Sequence, residues 1–214
     1  MSTKYRQAID LEAHNNRDVC GIGFFVGDED GRKIYKENWW IKTDMEEMDK
    51  RCLKDFWEKN PVPFKMLKEA TKSRAEQMES FRKYYDAVPS SLCIEQKDMK
   101  LDGDNPEFDF GGLRIPMKED CGRDSLRYTT QGEYRGICDY GDAIWNLGIY
   151  QEITEAADKV QKHDHVPAND AHHNVLFNII SEKVFEEIKR RYGSELQNIA
   201  QDIGLQVVQK LLHK

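Results

Sequence analysis

The segment Lys162 to Asn174, KHDHVPANDAHHN, gathers four of the chain's six histidines around two aspartates. Far from it in sequence, Asp10 and Glu12 stand two residues apart, flanked by Ile9 and Leu11. Carboxylates at that spacing leave the same face of a strand, where they can share a divalent ion. Ile9 and Leu11 give the opposite face an apolar surface, so the acidic face reads as the edge of a cleft in a strand that is otherwise buried. A carboxylate pair there costs desolvation free energy unless a cation compensates. The same spacing recurs at Asp28/Asp30, Asp44/Glu46, Asp102/Asp104 and Glu107/Asp109, and with 39 acidic residues such pairs arise by chance. Most of those read as solvated charges. His165 and Asp170, taken alone, also read more readily as surface neighbours than as a catalytic pair.

The elements around these residues sharpen the reading. Ala8 to Ala13 reads as a short strand, and RDVCGIGFFVGDEDGRKIYKENWWIK as a hairpin turning at DEDG. Met45, Met48, Cys52, Phe56 and Trp57 have helical spacing over Met45 to Asn60, ended by Pro61 and Pro63, with a linker beyond. Ser73 with Glu76 resembles a capping box that opens a helix through Met78, Phe81 and Tyr85 before Pro89. LCIEQKDMKLDGD returns to the sheet. Asn105 and Pro106 suit an N-cap and first helical position, placing Asp109 in a first turn, although Gly111 and Gly112 oppose that helix. Val175, Leu176, Ile179, Ile180, Val184, Phe185 and Ile188 form the apolar face of a long helix begun by Asp170, and Leu196 to Leu212 carries a second amphipathic helix. Strands first, with helices between and after, imply an α/β domain: a mixed sheet flanked by helices.

Composition bounds the function. A chain of 214 residues suits one domain with an insertion, at 39% apolar and 33% charged residues its surface is that of an ordinary soluble protein, and no run approaches the ~18 apolar residues of a membrane span. The start, MSTKYRQAIDLE, lacks a signal-peptide core, and cysteines 20, 52, 93, 121 and 138 form no CxxC pair. The expectation is an intracellular, cytoplasmic, reducing setting with no zinc site and no membrane partner. A formal charge of −7 opposes a broad basic face for duplex nucleic acid but not an acidic pocket holding metal ions.

Taken jointly, Asp10 and Glu12 in AIDLEAH, Asp109 in DNPEFDFGGL, and His165 with Asp170 in HVPANDAHHN resemble the DEDDh (DnaQ-like) family of 3′→5′ exonucleases, in order and in element type, from residue 6 to about residue 185. The sister family with a catalytic tyrosine would place it at position 166, which is Val166. Within the superfamily the chain looks most like the phage-type and RNase T-like exonucleases, through LKDFWEKNP and YRGICDYGDAIW. It departs from the family pattern after Glu12, where Ala13, His14 and Asn15 replace a Thr-Thr-Gly type sequence. It departs again at Asp104-Asn105, in place of His-Asn.

The resemblance implies a ribonuclease H-like fold over residues 1–192, with a helical insertion at about 44–90, and a C-terminal amphipathic helix at 193–214 packed on the domain or on a partner. It implies phosphodiester hydrolysis from single-stranded DNA or RNA 3′ ends, releasing nucleoside 5′-monophosphates. Two cations ~4 Å apart neutralise charge on the reacting phosphorus and the departing oxygen and acidify the attacking water. By resemblance Asp10 bridges both ions, Glu12 and Asp170 complete the site, and Asp109 holds the second ion mainly through water. Oxygen ligands suit two Mg2+ or Mn2+. His165 takes the proton from water, a role suited to an unperturbed pKa of ~6.5. Ala13, His14 and Phe108 are candidates for holding the terminal nucleotide. His163, His172 and His173 rank below His165; of the last two, one is expected to face solvent and the other to pack on the sheet. Trp39, Trp40 and Trp145 read as core or rim. The alternatives are an inactive exonuclease fold that binds nucleic-acid ends, and a proofreading partner of a polymerase or other replication protein; a homodimer is a further option.

Overall fold

The computed structural model describes residues 5–14, 18–95, 99–103, 105–123, 126, 134–136 and 144–212. A ten-residue strand, β1 (Tyr5–His14), runs through its centre, longer at both ends than its alternating pattern requires. It pairs antiparallel with β2 (Asp18–Asp28), which turns at Asp28 to Arg32 into β3 (Lys33–Trp40). On its other side β1 pairs parallel with β4 (Lys100–Gly103), and β4 with β5 (Tyr134–Gly136). The order β3-β2-β1-β4-β5 is that of a mixed, ribonuclease H-like sheet.

Strand periodicity divides the two layers. Ile9 and Leu11 enter the large core with Ile22, Phe24 and Val26, against Phe81 and Tyr85 of α3 (Arg74–Ser91) and Leu113 and Met117 of α4 (Pro106–Cys121). Ala8 faces the other way and packs, with Phe25, on Ala171, Val175 and Ile179 of the long α6 (Pro167–Leu212). Asp10 and Glu12 share the Ala8 face and therefore look toward α6.

Several sequence expectations are corrected. The Met45 to Asn60 helix is instead α1 (Lys50–Asp55) followed by a single 3-10 turn at Trp57–Lys59. Pro61 does not introduce a linker: it occupies the first turn of α2 (Pro61–Lys68), where its missing N–H would have had no helical partner. The Ser73 capping box forms as expected, but α3 passes through Pro89 to Ser91. α4 likewise runs through Gly111 and Gly112, and at Gly112 a Cβ would sit 3.1 Å from a Leu11 methyl, so this glycine lets the helix approach β1. The separate C-terminal helix is continuous with α6, which begins at Pro167 rather than Asp170. His172 and His173 are both buried. The imidazole of His172 stacks on Phe25 at 4.0 Å with Nε2 3.0 Å from the Gly31 carbonyl, and burial pushes its pKa down to about 4.

Asp102, grouped above with solvated pairs, is fully buried. Arg6 donates Nε and Nη2 to its two oxygens at 2.9 and 2.7 Å, Asn178 donates to one of them at 2.9 Å, and Arg6 Nη1 reaches Glu182 at 2.9 Å. This network ties β1, β4 and α6 together, with Arg6 on the same face of β1 as Asp10 and Glu12. Cys20, Cys52, Cys93 and Cys121 are free thiols, and Cys138 lies outside the described residues. Among the described residues no helix is long and apolar enough to cross a membrane.

Candidate nuclease site

β1 delivers two of the carboxylates. At its site end the pairing with β2 slips, Glu12 opposing Gly21 and Ala13 opposing Val19, and the resulting bulge breaks the ladder just past the acidic pair. Opposite Asp10 stands Gly23, where a Cβ would lie 2.0 Å from the backbone carbonyl carbon of Pro167. Only a residue without a side chain lets the start of α6 descend onto the sheet there. Asn38 of β3 secures that start by accepting the Ala168 N–H at 2.8 Å.

α6 delivers Asp170 from its first turn. The Asp170 carboxylate reaches back to accept the Asp164 N–H at 2.9 Å and the His165 N–H at 3.0 Å, while Asp164 accepts from Val166 N–H and the Asn169 amide. These bonds fix the loop before the helix and hold His165 at a left-handed φ of 60°, a sparsely populated backbone state for a residue other than glycine. One turn after Asp170, Asn174 donates to Asp10 Oδ1 at 3.4 Å.

Oxygens of Asp10, Glu12 and Asp170 all lie within 4.8 Å of one another, and all three residues are buried. Asp109 is buried too but bonded differently: Oδ1 accepts the Leu11 N–H at 3.2 Å and Oδ2 the Asn105 N–H at 3.1 Å. The Asn105 side chain, the expected N-cap, accepts from Phe108 N–H at 3.3 Å. The structure thus brings Asp10, Glu12 and Asp170 together and sets Asp109 beside them, close enough for its charge to act on Glu12. Burial first, then repulsion from Asp170 and Asp109, pushes the Glu12 carboxyl up to about 9. Burial pushes Asp170 up to about 7 against the pull of its backbone bonds. A divalent cation would compensate buried like charges in this geometry, and the all-oxygen donor set suits one.

The His165 ring turns Nδ1 toward this cluster, 3.8 Å from Glu12 Oε1 and 3.9 Å from Asp170 Oδ2. Burial holds its pKa below the ordinary imidazole value. Phe56 meets the ring edge-on at 4.8 Å. The helical spacing of Phe56 in the Met45 to Asn60 segment does not reveal its pairing with His165, because the two lie on separate elements. His163 Nε2 stands 3.3 Å from Asp170 Oδ2, closer than His165, a proximity that the ranking of the histidines did not anticipate. His173 Nε2 lies 3.3 Å from Asp158 at the end of α5 (Tyr150–Asp158), behind His163.

A cleft of about 1080 Å³ opens from Glu12, lined by Leu11, Ala13, His14, Phe56 and Phe108, with Glu47, Asp49, Arg51, Cys52 and Asp55 toward α1. The candidate residues Ala13, His14 and Phe108 therefore all line the cleft that Glu12 also lines. Asn15 and Asp104 lie outside the described residues, as does most of the YRGICDYGDAIW segment.

No family model and no curated protein matches the chain in sequence. Solved structures do match in fold. The RNase domain of yeast Pop2 superposes with a TM-score of 0.57 at 12% identity, covering 83% of this chain and 76% of that one. Apo exonuclease I gives 0.58 at 10% identity, covering 92% of this chain and 47% of that one. E. coli exonuclease I in complex with a dT13 oligonucleotide gives 0.56 at 12% identity, with 91% and 43% covered. The chain spans under half the length of exonuclease I. Its fold is the one used by these exonucleases and by the yeast ribonuclease domain, the ribonuclease H-like α/β arrangement that the DEDDh resemblance implies.

Proposed function

We propose that the chain is a metal-dependent 3′→5′ exonuclease that shortens single-stranded DNA or RNA from its 3′ end and releases nucleoside 5′-monophosphates. The observation that carries this reading is the convergence of buried Asp10 and Asp170 with His165 Nδ1 around Glu12, which itself lines a cleft roomy enough for a nucleotide. Asp10, Glu12 and Asp170 would hold magnesium or manganese directly, and Asp109, whose oxygens both accept backbone N–H groups, would contribute through water. Bound there, two divalent cations supply charge neutralisation at the phosphate and at the departing 3′ oxygen. His165 accepts the proton of the attacking water at Nδ1, and Phe56 limits the directions its ring can take. Phe108 and Phe56 offer apolar faces to the terminal base, which can be held by stacking without its identity being read. His14, at the end of β1 and lining the cleft, would meet the terminal sugar or phosphate. Residues 1–192 would form the exonuclease domain and residues 44–90 its insertion, with 193–214 extending α6 toward a partner.

The test is digestion of end-labelled single-stranded DNA, RNA and duplex with magnesium or manganese, in parallel with Asp10→Asn. Stepwise loss from the 3′ end that needs the cation and disappears in the variant supports the reading. Intact substrates under every condition, with a melting temperature indifferent to millimolar manganese, would favour an inactive fold that binds ends.

A further inference from the structure

We propose that His163 Nε2, His165 Nδ1 and Asp170 Oδ2 form a second metal site, selective for a cation of the zinc and cobalt class, and that filling it switches the exonuclease site off. The inhibitory half of this proposal rests on the exonuclease reading; the metal site itself does not.

One donor atom from each of His163, His165 and Asp170 lies within 4.8 Å of the other two, and both imidazoles converge on the same oxygen, Asp170 Oδ2, at 3.3 Å for His163 Nε2 and 3.9 Å for His165 Nδ1. In a tetrahedral zinc site with bonds of ~2.0–2.1 Å, neighbouring donors are about 3.3 Å apart. The His163–Asp170 edge already has that length, and the His165 edge closes to it by a movement of about half an ångström, within ordinary side-chain motion. Magnesium does not gain from imidazole donors, whereas zinc, cobalt and nickel do. Two donor sets that overlap at one oxygen thus sort two kinds of cation: the carboxylates of Asp10, Glu12 and Asp170 take hard ions, and His163, His165 and Asp170 take borderline ones.

The surroundings support the arrangement. Asp164, between the two histidines, turns away to bond Val166 N–H and Asn169, leaving both imidazoles on the Asp170 side. The His163 backbone N–H is held by Asp158 Oδ1 at 3.3 Å, and its ring packs against His165 and His173 at 5.0 and 5.5 Å between centroids. A zinc ion on His165 Nδ1 would occupy the lone pair that accepts the proton and draw Asp170 Oδ2 away from the hard-ion cluster. Either effect stops hydrolysis, and His163 contributes to zinc binding without belonging to the hydrolytic set.

Cobalt titration of the full chain reads the site directly, through the intense visible bands of tetrahedral Co2+. These should appear in the parent and in Asp10→Asn, which disables the carboxylate cluster, and be lost in His163→Ala and His163→Gln. Melting curves of both His163 variants establish that they fold. In digestion assays with manganese, zinc should inhibit the parent, and His163→Ala should need at least roughly tenfold more zinc for the same inhibition, as expected on losing a direct ligand when second-shell losses alone cost 10- to 100-fold. Tetrahedral bands that persist in the His163 variants, or are absent from the parent, overturn the site. Equal zinc sensitivity of the parent and His163→Ala overturns the switch. No digestion by the parent under any hard cation would overturn the exonuclease reading while the cobalt titration still decides the site.

Discussion

Asp170 Oδ2 is contested ground: a backbone N–H, His163 and His165 all converge on it, and each makes a different demand on the carboxylate. If His165 is the proton acceptor, His165→Ala should lower turnover by about 10²- to 10⁴-fold with manganese binding nearly intact, while His163→Ala should cost far less. Equal losses, or a worse loss for His163, would reverse the assignment. At saturating manganese the acid limb of the rate profile should lie below the ordinary imidazole value of ~6.5, because burial lowers the His165 pKa, and it should vanish in His165→Ala. Glu12 and Asp170 make a separate demand. Both bind protons more tightly in the fold than in the unfolded chain, so the folded state holds the extra protons and stability without cations should fall as pH rises from the carboxylate range near ~4. For Asp170 the loss runs through about 7, and for Glu12 it continues to about 9. The lowered His165 works oppositely, adding a rise only on the acid side of ~6.5. Manganese, competing with these protons, should bind more tightly with pH over the same window and remove the decline. Melting curves across that range with and without manganese measure both, and an apo-protein equally stable from mildly acid to alkaline pH would contradict the burial of the cluster. The grouping of Asp10, Glu12 and Asp170 was expected from the family resemblance, whereas strand alternation alone put only Asp10 and Glu12 on one face and did not set them apart from the other acidic pairs. The positions of His163 and Phe56 were not legible, since a loop's path and the meeting of distant elements decide them.

At the scale of elements, the site depends on how closely α6 can approach β2. Gly23→Ala would force a methyl to within 2.0 Å of the Pro167 backbone, where nothing flexible can yield. The start of α6 must then lift, taking Asp170 and the His165 loop with it. We expect a loss of about 3 kcal/mol or more, at the upper end of overpacking costs, together with loss of manganese stabilisation and of digestion. Ser73→Ala is the matched control: it removes a capping box on α3, away from the cluster, and should cost about 1 kcal/mol with activity unchanged. Denaturant unfolding and digestion rates for the two variants test the distinction, and a Gly23→Ala protein with parental activity would show that the approach is not needed. The sequence carried the Ser73 box and the Asn105 cap openly, because each is local chemistry. It misdirected at Pro61, Pro89 and the paired glycines of α4, where a residue that weakens a helix in isolation is tolerated at a helix end or beneath a close packing contact. Asp102 is the converse case: an aspartate two residues from another looked solvated, yet it is buried by Arg6, some ninety residues distant, and only tertiary structure can bring that partner.

For the molecule as a whole, strands first with helices between and after were enough to indicate a mixed sheet, and three short segments, AIDLEAH, DNPEFDFGGL and HVPANDAHHN, pointed to the residues gathered at one end of it. What enters the cleft depends on charge that is distributed over the surface. The formal charge is −7, and among the residues lining the cleft Glu12, Glu47, Asp49 and Asp55 outnumber Arg51, itself 3.7 Å from Asp55. Arg123, just beyond the end of α4, is paired with Asp86. A long duplex therefore finds no basic track in the cleft, and few phosphates can be neutralised at once. For a single strand the logarithm of affinity falls with the logarithm of salt at about 0.7 per neutralised phosphate, so a footprint of roughly two to four nucleotides gives a slope of about −1.5 to −3. Cations in the carboxylate cluster would supply the attraction at the scissile phosphate, and Phe56 and Phe108 a sequence-tolerant grip on the terminal base. The expected outcome is degradation of single-stranded 3′ ends in preference to blunt duplex, with little sequence selectivity and closed circles left intact. Salt titrations of binding by an Asp10→Asn variant, alongside digestion of linear, blunt and circular substrates, measure each part. A slope much steeper than −3 would mean that a basic surface outside the cleft takes part. Rapid cutting of circular single strands would identify an endonuclease, and efficient attack on blunt ends would require an element that separates the strands before the 3′ terminus can reach Glu12.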